Sequence, residues 1–298
     1  MLPHHSVLRD AGYKTVGEVA EEGTHELSVR TGLTRETAAE IISKARRIAY
    51  ASEFKRLESY LKARESVERI STGSRSFDEL LGGGVEVRAI TEFFGESSSG
   101  KSQLCFQLAV NVQLPKDKGG LEGAVIFIDT EGTLRPERIL QMAAAKGLGR
   151  DVLSNIYAAQ AYTTEKQIRL LESVFELAER LNVRLLIVDS LTANFRREFA
   201  GRAAMQNRSK KLNEFMEILR KFIRKFDAAA VVTNQISAEV DALTPAVRAV
   251  GGNIVAHSST YSVLLRKARA DLRIAKLVDA PHLPEAEVTF RITEEGIC

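Results

Sequence analysis

Eight consecutive residues, Gly95-Glu96-Ser97-Ser98-Ser99-Gly100-Lys101-Ser102, combine two glycines, a lysine and a hydroxyl at the spacing G-x-x-x-x-G-K-[ST]. Glycines let a backbone wrap closely, so that its N–H groups and the start of a following helix meet phosphate oxygens. In that setting Lys101 reaches the β- and γ-phosphates of a nucleotide, and the Ser102 hydroxyl helps hold Mg²⁺. The pattern carries weight only between a strand and a helix. The sequence supplies both, an apolar run at 90–94 and a helical pattern at 103–112. A serine-rich surface turn, the plain alternative, has no need of that setting.

Three more apolar runs end in polar residues. Leu185-Leu186-Ile187-Val188 delivers Asp189 to a strand end, where it can bind Mg²⁺ through water. Strands ending in Asp are common, and it is the phosphate loop that gives this one meaning. The run 125–129 passes into Asp129-Thr130-Glu131-Gly132-Thr133. Glu131, just past the strand end, can orient and deprotonate a water molecule. Asp129 competes for that role, and helix capping explains either carboxylate. The fourth run, 229–233, leads into Asn234-Gln235. A neutral amide there can sense a γ-phosphate without repelling it, although Gln235 alone reads equally as a loop residue.

These groups need a frame that brings strand ends to one edge. From residue 90 the sequence alternates apolar runs at 90–94, 125–129, 185–189, 229–233, 261–266 and 273–278 with amphipathic stretches. Long helical connections predict right-handed crossovers and a mostly parallel sheet covered on both faces. The short connection 268–271 predicts an antiparallel hairpin. Residues 1–50 read as short helices: Gly12 and Gly32 stand where helical turns end, and Thr15 and Glu18 have capping-box spacing. Ala38, Ile41, Ile42, Ala45, Ile48 and Ala49 mark one face of a longer helix capped by Thr34. With 12 basic and 11 acidic residues in 1–70, a generic bundle fits this region as well as a DNA-backbone clamp. Residues 51–70 form a linker. Its Phe54 reads either as one face of a helix with Leu57 and Leu61, or as an exposed anchor for a partner's pocket.

The composition, 44% hydrophobic and 27% charged over 298 residues, excludes global disorder. Cys105 and Cys298 are the only cysteines, which excludes a disulfide framework and a Cys-ligated zinc site and fits a reducing compartment. No apolar run approaches the ~18 residues that span a bilayer, and the start lacks a signal-peptide core, so the expectation is a soluble cytoplasmic protein. The net charge of +3 hides a local excess. Residues 192–225 hold ten Lys or Arg against three Glu, +7, which leaves −4 for the remainder. Arg196, Arg197, Arg202 and Arg208 surround Gly201 in what reads as a loop suited to phosphate backbones. Lys210, Lys211, Arg220, Lys221, Arg224 and Lys225 decorate the next helix, most simply as a solvated face. A second long connection, 236–252, closes with Gly251-Gly252, and loops of such length in a compact domain are usually functional or mobile.

Taken in order, GESSSGKS, FIDTEGTLRPER, LLIVDSLTANFRREFAGR, VVTNQ, AVGGNIVAHSST, LRKARADLRIAKLVDAPHLPEAEV and TEEGI resemble the archaeal RadA recombinases, relatives of bacterial RecA. The resemblance runs from about Gly12 to the C-terminus and is dense from Ile70, where ISTGSRSFDELLGGGVE is also similar. It implies an α/β fold: a RecA-like P-loop ATPase core over 71–298, a small all-α helix-hairpin-helix domain over 1–50, and a polymerisation-type Phe in the linker 51–70. It implies ATP and Mg²⁺ as cofactors, with K⁺ near an ATP cap. ATP would contact Gly95, Glu96, Ser97, Ser98, Ser99, Gly100, Lys101, Ser102, Gln103 and Arg138, with Arg135 nearby. Asp279 to Pro284 would form the cap that one subunit lays over its neighbour's ATP. Glu131 corresponds to the water activator, Gln235 to the glutamine coupling γ-phosphate to DNA, and His257 to a γ-phosphate sensor; Lys101 completes the catalytic set, and Ser102 and Asp189 the metal set. Arg196, Arg202 and Arg208 fall in the first DNA loop, Val240, Gly251 and Gly252 in the second. Phe54 takes the place of the aromatic anchor that docks into the adjacent protomer, and Leu57 stands where the family has alanine. Ser97, Ser98 and Ser102 also depart from the pattern, and the second loop is short. The implied function is a DNA-dependent ATPase that forms filaments on single-stranded DNA and exchanges strands in recombinational repair. The alternative is a RadA paralogue that binds ATP and single-stranded DNA and assists another recombinase. The implied partners are single- and double-stranded DNA, further copies in a filament or ring, and other recombinase subunits or mediators, with no membrane and a nucleoid-associated location.

Overall fold

The computed structural model describes residues 2–237, 248–249 and 253–298. They fall into two compact units, Met1–Val67 and Glu68–Cys298.

The first unit is helical throughout: α1 (His5–Asp10), α2 (Val16–Glu21), α3 (Thr24–Thr31), α4 (Arg35–Glu53) and α5 (Leu57–Glu65). Local signals in the sequence set its boundaries. The Thr15 hydroxyl accepts from Glu18 N at 3.1 Å and Thr34 from Thr37 N at 3.2 Å, each satisfying an orphan donor of a first turn. Gly32 closes α3 at φ +71°, a left-handed conformation that costs glycine nothing. Ala38, Ile41, Ile42 and Ala45 bury one face of α4 against Leu8, Val19 and Leu27. Ile48, expected on that face, is 39% exposed, while its neighbour Ala49 is partly buried against the core. The single-helix reading of Phe54, Leu57 and Leu61 is also corrected. Phe54 ends α4 in an extended conformation, and α5 begins only at Leu57. Past Ala49 no described side chain of α4 is buried, so burial does not hold a longer helix together.

The second unit opens with β1 (Arg69–Ile70), α6 (Arg75–Leu80), β2 (Val85–Glu86) and β3 (Ile90–Gly95), followed by α7 (Lys101–Asn111), β4 (Ala124–Asp129), α8 (Pro136–Ala145) and β5 (Ile156–Gln160). Next come α9 (Thr164–Ala178), β6 (Val183–Asp189), α10 (Ala193–Glu198), α11 (Met205–Lys225), β7 (Ala229–Asn234), β8 (Ile236–Ser237) and β9 (Arg248–Ala249). The chain ends through α12 (Asn253–Ser258), β10 (Tyr261–Lys267), β11 (Leu272–Asp279), β12 (Ala286–Thr293) and β13 (Gly296–Ile297). Nine strands form one sheet in the order β13-β12-β11-β10-β3-β7-β6-β4-β5. From β10 to β5 all neighbours run parallel, and from β10 to β13 they run antiparallel.

The parallel strands β3, β4 and β7 are buried at every position, as apolar runs covered on two faces must be. Phe93, Phe106 and Phe127 belong to the core on one side of the sheet, Leu186, Phe195 and Phe215 to the core on the other. The six strands read from apolar runs all form, each extended by one or two residues. The hairpin at 268–271 closes with Ala268 N donating to Leu272 O at 3.1 Å. Two longer strands lacked so plain a signal. β5 is a half-exposed edge strand of Ile-Tyr-Ala-Ala-Gln, weak in β-branched residues. β12 alternates Val288, Phe290 and Ile292 with polar residues and carries the chain back from the 279–284 segment. Among the described residues no helix is long and apolar enough to cross a membrane.

Candidate functional site

Parallel order brings the ends of β3, β4, β6 and β7 to one edge of the sheet. β3 ends in Gly95, and after a short loop Lys101 is the first residue of α7. Gly100 holds φ +106°, and a Cβ there would come within 2.7 Å of Ile292 Cδ1. The position therefore demands glycine for its conformation, and a larger residue would also push the end of the Ile292 side chain aside. Lys101 Nζ donates to the carbonyls of Gly95 at 2.9 Å and Glu96 at 2.8 Å, folding the lysine back over its own loop. Burial holds its pKa below the ordinary range, and the nearby Asp189 and Glu131 charges oppose that shift.

Asp189 closes β6 with 3% exposure. One carboxylate oxygen accepts from Thr233 Oγ1, while the buried Oδ2 has no hydrogen-bond partner. Burial raises its pKa; the neighbouring Ser102 hydroxyl and the Thr233 hydrogen bond oppose the shift, and the Glu131 and Asp129 charges add to it. An orphaned carboxylate oxygen beside a lysine and a serine fits a hydrated divalent cation, which would complete the oxygen's bonding.

Hydrogen bonding gives Asp129 and Glu131 different surroundings. Asp129 Oδ1 accepts from the backbone N–H groups of Glu131, Gly132 and Thr133, and Oδ2 from Leu134. Its carboxylate shapes the turn and is fully occupied. Glu131 stays exposed, and its Oε1 accepts from Ser190 Oγ at 2.8 Å and from Gln235 Nε2 at 3.4 Å. Gln235 Oε1 in turn accepts from Arg196 Nη1 at 2.8 Å.

Between these groups lies a cavity of about 400 Å³. It gathers Ser97, Ser98, Gly100, Lys101, Ser102 and Gln103 with Glu131, Asp189 and Gln235. Thr133, Ser190, Arg273 and Ile292 also line it and were not expected. Ser190 could have been found as the residue after the strand-ending aspartate. Arg273 and Ile292 come from β11 and β12, about 170 to 190 residues along the chain from Lys101, and no local spacing announces them. Gly95, Glu96 and Ser99 shape the loop without lining the cavity.

Other expected residues lie elsewhere. Arg138 donates to Gln103 Oε1 at 2.8 Å and to the carbonyls of Thr293 and Glu294 at 2.6 Å, tying α8 to α7 and to the β12–β13 turn. Burial lowers its pKa. Arg135 bonds the carbonyls of Gly132 and Leu134. His257 is exposed in the last turn of α12, and Asp279 and Pro284 are exposed beyond β11's core; none of the three lines the cavity. Of the first-loop arginines, Arg202 opens a single 3-10 turn, Arg202–Ala204, and Arg208 lies half-buried in the first turn of α11. Arg197 is held by Tyr162 O and Asn194 Oδ1, and Glu198 accepts from Thr164 N at 2.8 Å. Lys211 pairs with Glu165, Lys225 with Glu179 and Arg220 with Glu217. Those pairs suit a solvated helix face. Val240, Gly251 and Gly252 lie outside the described residues. In the helical unit Phe54 is 89% and Leu57 81% exposed.

A phosphate loop opening α7, a carboxylate at the end of the β6 strand and an antiparallel extension beyond β10 are the parts of a RecA-like core. Residues 63–298 match the family described as Rad51, and the chain belongs to the Rad51 family.

Proposed function

We propose that this protein is a DNA-dependent ATPase of the archaeal RadA type, which assembles on single-stranded DNA and pairs it with a homologous duplex. One observation carries the reading: Lys101, Asp189, Glu131 and Gln235 meet around a single cavity, and Gln235 is held by an arginine of the basic segment 192–225. Backbone N–H groups at the start of α7 and the Lys101 ammonium bind the phosphates of ATP. Ser102 and Asp189 hold Mg²⁺, which when bound neutralises phosphate charge. Glu131 orients the attacking water and takes its proton. Gln235, between Glu131 and Arg196, reports the γ-phosphate to the loops that hold DNA. Arg202 and Arg208 supply cationic contacts to the DNA backbone, joined by the second loop at Val240, Gly251 and Gly252. Phe54 docks into a neighbouring copy, and Asp279 to Pro284 cap that copy's ATP with His257 nearby. Residues 1–50 act as the helix-hairpin-helix domain and 51–70 as the linker. A joint-molecule assay with ATP and homologous DNA tests this reading; ATP hydrolysis without joint molecules removes strand exchange.

A second reading has its own observation. Leu57, exposed at 81% three residues after Phe54, is bulkier than the alanine of the family pattern. A docking pocket shaped for alanine rejects it, which favours a paralogue that binds ATP and single-stranded DNA and assists another recombinase. Electron microscopy with a slowly hydrolysed ATP analogue separates the two, because long helical filaments exclude the mediator.

A further inference from the structure

Glu92 lies on β3, three residues before Gly95, between β7 and β10. It is 1% exposed, and among the described residues it forms no ion pair. Two neutral donors face its carboxylate: Asn234 Nδ2 at 2.8 Å and Ser262 Oγ at 3.2 Å. A carboxylate buried at this depth needs a reason, because burial without a cation is unfavourable.

The reason lies at the other end of the Asn234 side chain. Its carbonyl oxygen accepts from Thr192 Oγ1 at 2.6 Å and from Gln235 N at 2.9 Å. Thr192 is the residue before α10, which carries Arg196, and Gln235 joins Arg196 to Glu131. One buried carboxamide thus links the P-loop strand, the end of β7 and the start of α10. A carboxamide has two orientations. Reversed, Asn234 would turn its NH₂ toward the Gln235 N–H and its oxygen toward the oxygens of Glu92. An acceptor at position 92 forbids the reversed state. The Ser262 hydroxyl can donate or accept, so the lock survives whether Glu92 is ionised or protonated.

We propose that Glu92 is a positioning residue: by fixing the orientation of Asn234 it holds Gln235 and Arg196 in register with Glu131. The proposal rests on the reading of Glu131 and Gln235 as hydrolytic machinery. Glu92 touches no nucleotide group itself; it acts through Asn234.

A hydrogen-bond swap tests it. In Asn234→Asp two buried carboxylates face each other, and kcat for ATP hydrolysis falls about tenfold or more while KM stays within about twofold. Glu92→Gln alone stays within about twofold of wild type, because its carbonyl accepts from Asn234 and its NH₂ donates to the Ser262 hydroxyl. In the double variant Glu92→Gln/Asn234→Asp the new amide donates to the new carboxylate, whose other oxygen still serves Thr192 and Gln235, and kcat returns to within about threefold of wild type. A double variant as slow as Asn234→Asp overturns the proposal, as does a loss expressed in KM alone. Should Asn234→Asp fail to fold, comparison of the double variant with wild type decides by the same threshold. A wild type that hydrolyses no ATP overturns the functional reading and the positioning role with it. An active wild type matched by Asn234→Asp overturns the positioning role alone.

Discussion

Arg196 donates to the Gln235 carboxamide oxygen at 2.8 Å, while the nitrogen of the same carboxamide lies 3.4 Å from Glu131 Oε1. A cation from the basic segment is therefore one neutral side chain away from the carboxylate that faces the cavity. In the proposed function Gln235 is the shared partner through which a change at either side would reach the other. Reciprocity of this kind is what coupling between a phosphate site and a DNA site requires.

Arg196→Ala should uncouple the two. Hydrolysis without DNA stays within about threefold of wild type, while stimulation by single-stranded DNA falls about tenfold. Steady-state rates with and without an oligonucleotide give both numbers. Equal loss in the two conditions means that Arg196 supports Gln235 and nothing more.

The two carboxylates of the β4 turn separate by kind of defect. Glu131→Gln lowers kcat about 10²-fold or more and leaves binding of a fluorescent ATP analogue unchanged, as expected for loss of a general base. Asp129→Asn removes a charged acceptor from the backbone N–H groups of residues 131–134 and lowers the thermal midpoint. An unchanged midpoint for Asp129→Asn would detach that carboxylate from the turn.

Gly100→Ala should weaken nucleotide binding by roughly 5- to 150-fold. The new methyl meets Ile292 at 2.7 Å at a φ of +106°, so the loop must shift or Ile292 must move. Strained substitutions of this type cost about 1–3 kcal/mol. Calorimetric titration with ATP, together with the thermal midpoint, measures both effects, and wild-type affinity would show the glycine to be dispensable.

What the sequence made legible was local. Asp189 and Glu131 could be placed because each follows an apolar run that a parallel sheet must bury, so the end of the run is the end of a strand. The caps at Thr15 and Thr34 were readable for a similar reason, since a hydroxyl and an N–H three residues on suffice. Glu92 was invisible: inside a buried strand its partners Asn234 and Ser262 lie 142 and 170 residues away. Arg273 and Ile292 reach the cavity through register between distant strands. Phe54 was ambiguous in spacing, because i, i+3 and i+7 fit a helix that has no apolar surface to lie on. The break at 54–56 follows from that missing burial, which spacing does not record.

Burial pushes the Glu92 carboxyl from its ordinary 4.5 up to about 7. The folded chain therefore binds this proton more tightly than the unfolded chain does. The stability so gained is fully present below pH 4.5 and is lost as pH rises through about 7. The linkage amounts to about 3 kcal/mol at most. Against Glu92→Gln, which does not titrate, the wild-type midpoint should fall steadily between about pH 4.5 and 7.5 and run parallel above about pH 8. A constant difference across that range would mean that Glu92 titrates as if exposed.

Phe54→Glu should leave folding alone and abolish self-assembly. With 89% exposure the ring contributes almost nothing to its own unit, and surface substitutions of this kind stay within about 0.5 kcal/mol. Light scattering with ATP and single-stranded DNA reads the assembly. Leu57→Ala should strengthen it, and a Phe54→Glu variant that assembles normally places the interface elsewhere.

The most direct single measurement is the rate of ATP hydrolysis by the wild-type chain with and without single-stranded DNA at one fixed salt concentration. The predicted result is a rise of about tenfold or more with DNA, weakening steeply as salt increases. A rate that is the same with and without DNA contradicts a DNA-dependent ATPase, however well the cavity binds nucleotide.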